Sequence, residues 1–176
     1  MRLIKRLLAT LLVVVIALVA IAYILPREVT VTRSTTINAA PPAVFAQVNA
    51  LQAGENWSPW LDRDPDVQLT YSGPDSGVGN KLQWASDHPQ VGNGTQEIIA
   101  STENTRVETA LDFGDMGTAQ AWFALAPDGA ATTLTWGLKT DMGNNPIGRY
   151  MGLMMDRWVG ADYEKGLNNL KTLIEG

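Results

Sequence analysis

The chain has no cysteine and a single histidine, His88. The first absence excludes disulfide frameworks, thiolate metal sites, CxxC redox pairs and a cysteine nucleophile. The second excludes histidine-rich metal centres and leaves any Ser-His-Asp triad dependent on one residue. That residue lies in Ser86-Asp87-His88-Pro89, and in an extended chain the adjacent Asp87 side chain points the other way. Neither GxSxG nor HExxH occurs. Asp62, Asp64 and Asp66 alternate, but the glycine and closing glutamate of a calcium loop are missing. No metal, cofactor or catalytic residue is therefore expected. Positive charge is also scarce, with 13 Lys+Arg against 18 Asp+Glu over 176 residues. The shortage is uneven. Residues 1–26 hold Arg2, Lys5 and Arg6 and no acid, while residues 27–176 carry a charge of −8. Phosphate binding needs clustered cations, so no nucleic-acid partner is expected for such a body.

What the N-terminus does have is a long uncharged run, Leu7 to Leu25, in which 13 of 19 residues are Leu, Ile or Val. As a helix it is about 28 Å long, against a bilayer core of about 30 Å. Those 13 side chains favour insertion by at most about 4–8 kcal/mol. Three cations precede the run, and Arg27 after it is offset by Glu28. The positive-inside rule then places the N-terminus in the cytoplasm and the body outside, in the periplasm of a bacterial cell. Besides a buried core helix, two leading readings stay open. Residues 1–26 form a retained signal anchor, or they are a leader cleaved at Ala20-Ile21-Ala22. The apolar run continues past that site through Tyr23-Ile24-Leu25, which favours the anchor.

Residues 27–176 read as one domain of short strands closed by a long helix. Residues 29–37 alternate and are rich in β-branched side chains. A short helix from Ala43 to Leu51 follows Pro41-Pro42, with Val44, Phe45, Val48 and Leu51 on one side. Six more strands are expected at 67–72, 80–86, 95–101, 106–113, 118–126 and 131–140. Turn residues such as Gly73-Pro74-Asp75, Asn93-Gly94 and Pro127-Asp128-Gly129 separate them. Connections this short favour an antiparallel meander. The last helix starts with Asn145 as cap and Pro146 in the first turn. Its apolar stripe is Ile147, Met151, Met154 and Trp158, then Tyr163, Leu167, Leu170 and Ile174 after a five-residue step across Gly160, where the helix is expected to bend or loosen. Gly148, Gly152, Gly160 and Gly166 each disfavour helix by about 1 kcal/mol relative to Ala, which implies close backbone approach to a neighbour. An antiparallel sheet must cover its apolar face, and only this helix is long enough. The expected class is α+β: a transmembrane helix, then a helix-grip domain of about seven antiparallel strands wrapped around the C-terminal helix.

Asn56-Trp57-Ser58-Pro59-Trp60 with Asp64-Pro65, then Ser72-Gly73-Pro74, Gly77-Val78-Gly79, Trp84 and Val91-Gly92-Asn93-Gly94, resemble the START-like, or SRPBCC, superfamily in its polyketide cyclase/dehydrase-like branch. Met154-Met155-Asp156 and Tyr163 to Lys171 resemble that branch's final helix. The resemblance spans about residues 28–175. It implies a helix-grip fold with a hydrophobic ligand cavity and carries over no catalytic constellation.

The expected cavity lining is Trp84 and Trp136 on the sheet's apolar face and Met151, Met154 and Trp158 on the helix stripe facing it. Methionine suits irregular apolar space. The leading functional reading is membrane-tethered binding of a hydrophobic or lipid-like small molecule without catalysis. One alternative is a tethered module that docks an envelope protein, for which a filled core and an exposed apolar patch are the signs. The other is a cyclase- or dehydratase-type enzyme using the same cavity, for which Asp141, Arg149, Tyr150 and His88 are the ionisable candidates. With a linker of only Pro26 to Glu28, the body sits close to the bilayer, and its charge of −8 argues against broad adsorption to anionic headgroups.

Overall fold

The structure, a computed structural model, describes residues 2–176. Helix α1 (Arg2–Ala22) precedes strand β1 (Glu28–Ile37), helix α2 (Pro41–Val48) and a 3-10 turn at Leu51–Asn56. Strands β2 (Gln68–Ser72), β3 (Lys81–Ala85), β4 (Gly94–Thr102), β5 (Arg106–Asp112), β6 (Thr118–Asp128) and β7 (Ala131–Asp141) follow, and helix α3 (Pro146–Glu175) closes the chain. The seven strands form one antiparallel sheet in the order β1-β7-β6-β5-β4-β3-β2. This is the helix-grip arrangement expected from the alternating strands and the single long helix.

Register explains the burial. Val31 pairs with Leu138, which pairs with Ala121, so these inward positions form one row across three strands. Ile98, Val107, Phe123, Leu125, Leu134 and Trp136 complete the buried inner face. The alternation could be read from sequence because a one-residue slip would move every one of them to solvent. A bulge between Ile98 and Ala100 adds the local twist that lets the sheet curl, and it leaves Ile98 buried while Ile99 is exposed. At the β2–β3 turn, Gly73 has φ +81° and its Cα faces the Gly79 carbonyl so closely that a Cβ would lie 2.1 Å from that oxygen. Asn80, buried beside it, accepts from the Leu51 backbone N–H at 2.8 Å and donates to the Pro74 carbonyl at 2.8 Å. One side chain thus ties the turn to the segment after α2.

Helix α3 is capped by Asn145, whose side-chain oxygen accepts from Ile147 N at 2.9 Å. It runs unbroken through Gly160, and that continuity corrects the expected stripe. A five-residue step on a regular helix turns about 140° past a full revolution, so the residues before and after Gly160 cannot face the same side. The later set faces the sheet: Tyr163, Leu167 and Leu170 are buried. Ile147, Met151, Met154 and Trp158 point away from it, 70, 48, 37 and 49 % exposed. Before Gly160 the sheet-facing positions are Gly152 and Gly160 themselves, with half-buried Met155 and Val159.

The glycines are close-approach sites, as expected. A Cβ at Gly160 would meet the Arg33 guanidinium at 2.1 Å. Arg33 reaches from β1 under the helix to bind Asp156 at 2.9 Å and Glu164 at 2.6 Å. A Cβ at Gly166 would stand 2.8 Å from the Trp136 ring and 3.1 Å from Pro59. Neither a buried ring nor a proline can give way cheaply. Gly166→Leu should therefore lower stability by about 1–3 kcal/mol through overpacking. Denaturant unfolding of the variant checks this, and a wild-type midpoint would contradict the packing.

Candidate functional site

The inner face of the sheet has two unlike halves. Under α3, which approaches β1 most closely, an aromatic cluster fills the space. Trp136 of β7 stacks on Tyr163 of α3 with centroids 3.9 Å apart and planes 8° from parallel. Trp57 meets Trp136 edge-on at 5.4 Å and Phe123 at 5.9 Å, and Trp60 meets Trp136 at 5.7 Å. These are preferred aromatic geometries. Burial pushes the Tyr163 hydroxyl well above its ordinary pKa, with the Asp162 charge adding to the effect, so it stays a neutral phenol.

One atom of this cluster is unsatisfied. The indole N–H of Trp57, a residue only 7 % exposed, has no acceptor among the described residues. A buried donor without a partner costs about 1–3 kcal/mol, and native interiors rarely leave one unmatched.

The second half of the inner face is incompletely covered. Leu69 and Tyr71 of β2, Leu82 and Trp84 of β3 and Leu111 of β5 point inward, yet all are half-buried. Trp84 lies flat over Gly94 of the neighbouring strand and packs edge-on against Phe113 at 5.8 Å. Burial, and then the hydrogen bond that the Tyr71 hydroxyl donates to Glu55, raise the Tyr71 pKa, so this wall carries a neutral phenol among apolar side chains.

Of the five expected lining residues, Trp84 and Trp136 share the inner face. Met151, Met154 and Trp158 lie on the far side of α3 and are not brought to them. The place of Trp57 in this cluster is not legible in the sequence, because its partners Phe123 and Trp136 come from distant strands. The neighbouring methionines do not form one group either. Met155 packs on the core and Met142 lies against Gly152.

A hollow of about 560 Å³ lies elsewhere. It crosses the strand ends on the sheet's other side, along the successive partners Lys81, Glu97, Ala110, Gln120 and Lys139. Its charges pair with each other, Lys81 with Glu97 and Lys139 with Glu28, both at 3.0 Å. We read it as a solvated groove, because its lysines are paired with carboxylates and no buried polar atom in it is left unmatched. Trp122 also faces that side, over Gly137 and under the Arg106 guanidinium.

The ionisable candidates do not converge. Asp141 forms a two-pronged pair with Arg27, at 2.7 and 2.9 Å from its Nε and 2.7 Å from its Nη2, and not with Arg149. Arg149, nearly buried, donates to the carbonyls of Gly143 and Leu25, each at 2.8 Å. Tyr150 donates to the Leu18 carbonyl at 2.8 Å. His88 sits in the β3–β4 loop, where its Nδ1 accepts from Gln90 N at 3.2 Å. Ser86 donates to Asp64 and not to the imidazole, which is the reverse of a triad. Asp62 pairs with Lys165, so Asp62 and Asp64 are engaged by different partners. Among the described residues no cluster of three metal-binding side chains forms.

The Arg27 hydrogen bonds, joined by one from Gly143 N, hold the Asp141 carboxyl down at about 2. A depressed folded-state value means stability that is present above the ordinary value of 3.8 and lost as pH falls toward 2. Wild type should thus lose the Arg27–Asp141 contribution across this interval, and Asp141→Asn should lack that component. Parallel acid titrations of thermal stability would show the difference, and identical profiles would mean the pair contributes nothing.

A curved antiparallel sheet gripping a C-terminal helix, with a filled half and an open half, defines a helix-grip module suited to hydrophobic ligands. The family described as polyketide cyclase/dehydrase and lipid transport matches residues 28–175, and the chain belongs to that family. No match is found among curated proteins. Solved structures share the fold. A solution structure from Thermobifida fusca has 18% identity and a TM-score of 0.62, covering 82% of this chain and 92% of its own. A crystal structure from Chromobacterium violaceum has 17% identity and a TM-score of 0.56, covering 84% and 97%. DynU16, a protein of the dynemicin biosynthetic locus, has 16% identity and a TM-score of 0.57, covering 83% and 47%.

Proposed function

We propose that this protein holds a hydrophobic or lipid-like small molecule at the membrane surface, tethered by α1, and that it does so by binding without catalysis. The observation that carries the reading is the unmatched Trp57 indole N–H. It marks a place inside the grip where an acceptor belongs. The half-covered wall of Leu69, Leu82, Trp84 and Leu111 offers the apolar surface beside the filled core. An apolar molecule bearing a carbonyl, ester or hydroxyl oxygen meets both demands. In this reading Trp84 and Trp136 line the ligand, and Met151, Met154 and Trp158 do not.

Helix α1 supports the tether. It is 21 residues long, apolar, and outside the body's core apart from Ala22. Mass spectrometry of the full chain extracted in mild detergent should show one apolar, oxygen-bearing molecule retained per chain. A fluorescent fatty acid should bind the delipidated protein saturably. Trp57→Phe keeps an aromatic ring but removes the donor. It should weaken that binding about 2- to 12-fold, the worth of one hydrogen bond of about 0.5–1.5 kcal/mol. An empty chain with no saturable probe binding would defeat the proposal. Unchanged affinity in a folded Trp57→Phe protein would remove this donor from the site.

A further inference from the structure

We propose that the first four turns of α3 are a membrane-seating element, with Ile147, Met151, Met154 and Trp158 immersed in the lipid that surrounds the exit of α1. The proposal rests on the reading of α1 as a membrane span. Its first support is level. The Tyr150 hydroxyl bonds the carbonyl of Leu18, four residues before α1 ends at Ala22, or about 6 Å back along the helix. A part of the domain that touches the span there lies at or below the height at which α1 leaves the apolar layer. Arg149 fixes this arrangement by donating to Leu25 O, and its guanidinium lies 5.9 Å from the Tyr23 ring.

The second support is the pattern along one helix face. Ile147, Met151, Met154 and Trp158 form an outward apolar stripe in the half of α3 that begins beside α1. Farther along, the same face carries exposed Lys165, Asn168 and Thr172. The apolar character stops as the helix moves away from the span. Tyr150 beside the stripe and Trp158 at its far end carry amphipathic rings of the kind that concentrate where apolar lipid meets the headgroups.

The third support is charge. Near the span, Asp141 is paired with Arg27 and Glu28 with Lys139. Arg157, exposed on the flank of the stripe, has no carboxylate partner among the described residues. It is free to meet lipid phosphate, its stem lying along the apolar face. The body's charge of −8 is therefore not what the bilayer meets, and the expectation of tethering without adsorption is revised for this one edge.

The lack of native cysteine gives a clean test. Single-cysteine variants Met154→Cys, Val14→Cys and Asp128→Cys of the full chain are spin-labelled in phosphatidylcholine–phosphatidylglycerol vesicles, and collision with oxygen and with a water-soluble nickel complex is compared. Asp128 ends β6 opposite Ala131, at the far end of β7 from Asp141. The expected result is that position 154 follows position 14, with oxygen favoured over nickel, while position 128 reads as aqueous. An aqueous signal at 154 with a lipid signal at 14 overturns the seat and leaves the tether standing. Aqueous signals at both overturn the tether and, with it, the seat. Protection of 154 from both reagents overturns the seat in favour of a second copy or a protein partner covering the stripe.

Discussion

Trp136→Ala is expected to lower the unfolding free energy by about 3–5 kcal/mol, the usual cost of truncating a buried aromatic to alanine. The side chain is 6 % exposed and touches Trp57, Trp60, Phe123 and Tyr163. Those four come from the loop after α2, from β6 and from α3, so Trp136 joins three separate parts of the chain. None of its neighbours can move in to fill the space without leaving its own packing. At about 2–4 °C per kcal/mol for a domain of this size, the melting temperature should fall by roughly 6–20 °C. Trp122→Ala is the control on the opposite face. There the indole is half-buried and loses its contacts with Arg106 and the Gly137 backbone, and a smaller loss is expected. Equal losses for the two variants would show that the inner cluster is not what holds helix to sheet.

That cluster also shows where sequence reading works and where it stops. The strand positions of Leu134, Trp136 and Leu138 could be read because one face is buried and the side-chain period is two. The class of fold followed from those strands and one long helix. The phase of α3 could not be read the same way. Its sheet-facing positions in the first half are partly glycine, which carries no hydrophobic signal, whereas its outward positions are apolar. A periodicity argument assigns the apolar side to the core, and here the assignment is inverted up to Gly160. The presence of four glycines already held the needed information, since they marked where Arg33 and Trp136 approach.

The candidate site was less legible for a different reason. Asp141 stands near Arg149 in sequence but is bound by Arg27, 114 residues away, because β1 and β7 pair with Glu28 opposite Asp141. Likewise, nothing in Asn56-Trp57-Ser58 reveals that the indole nitrogen ends inside the core without an acceptor. Both facts depend on long-range register, which local pattern leaves undetermined.

The span reading leads to the other large effect. The Leu, Ile and Val side chains of Leu7–Leu25 favour insertion by at most about 4–8 kcal/mol, and one arginine near the centre costs about 2.5–3.5 kcal/mol. Val13→Arg alone should thus leave most of the protein in the membrane. Val13→Arg with Ile16→Arg costs about 5–7 kcal/mol, close to the whole driving force, and should shift the chain to the soluble or degraded fraction. Both positions are more than 45 % exposed in the structure, so the substitutions do not disturb the folded body. Fractionation after alkaline washing measures the distribution. C-terminal reporter fusions test the orientation, and the cations Arg2, Lys5 and Arg6 ahead of the span predict an active exported reporter and a silent cytoplasmic one. Retention of the double variant at wild-type levels would mean that the body holds the membrane without α1, and the exposed stripe of α3 would then be its anchor. A soluble single variant would mean that α1 inserts too weakly to be a span.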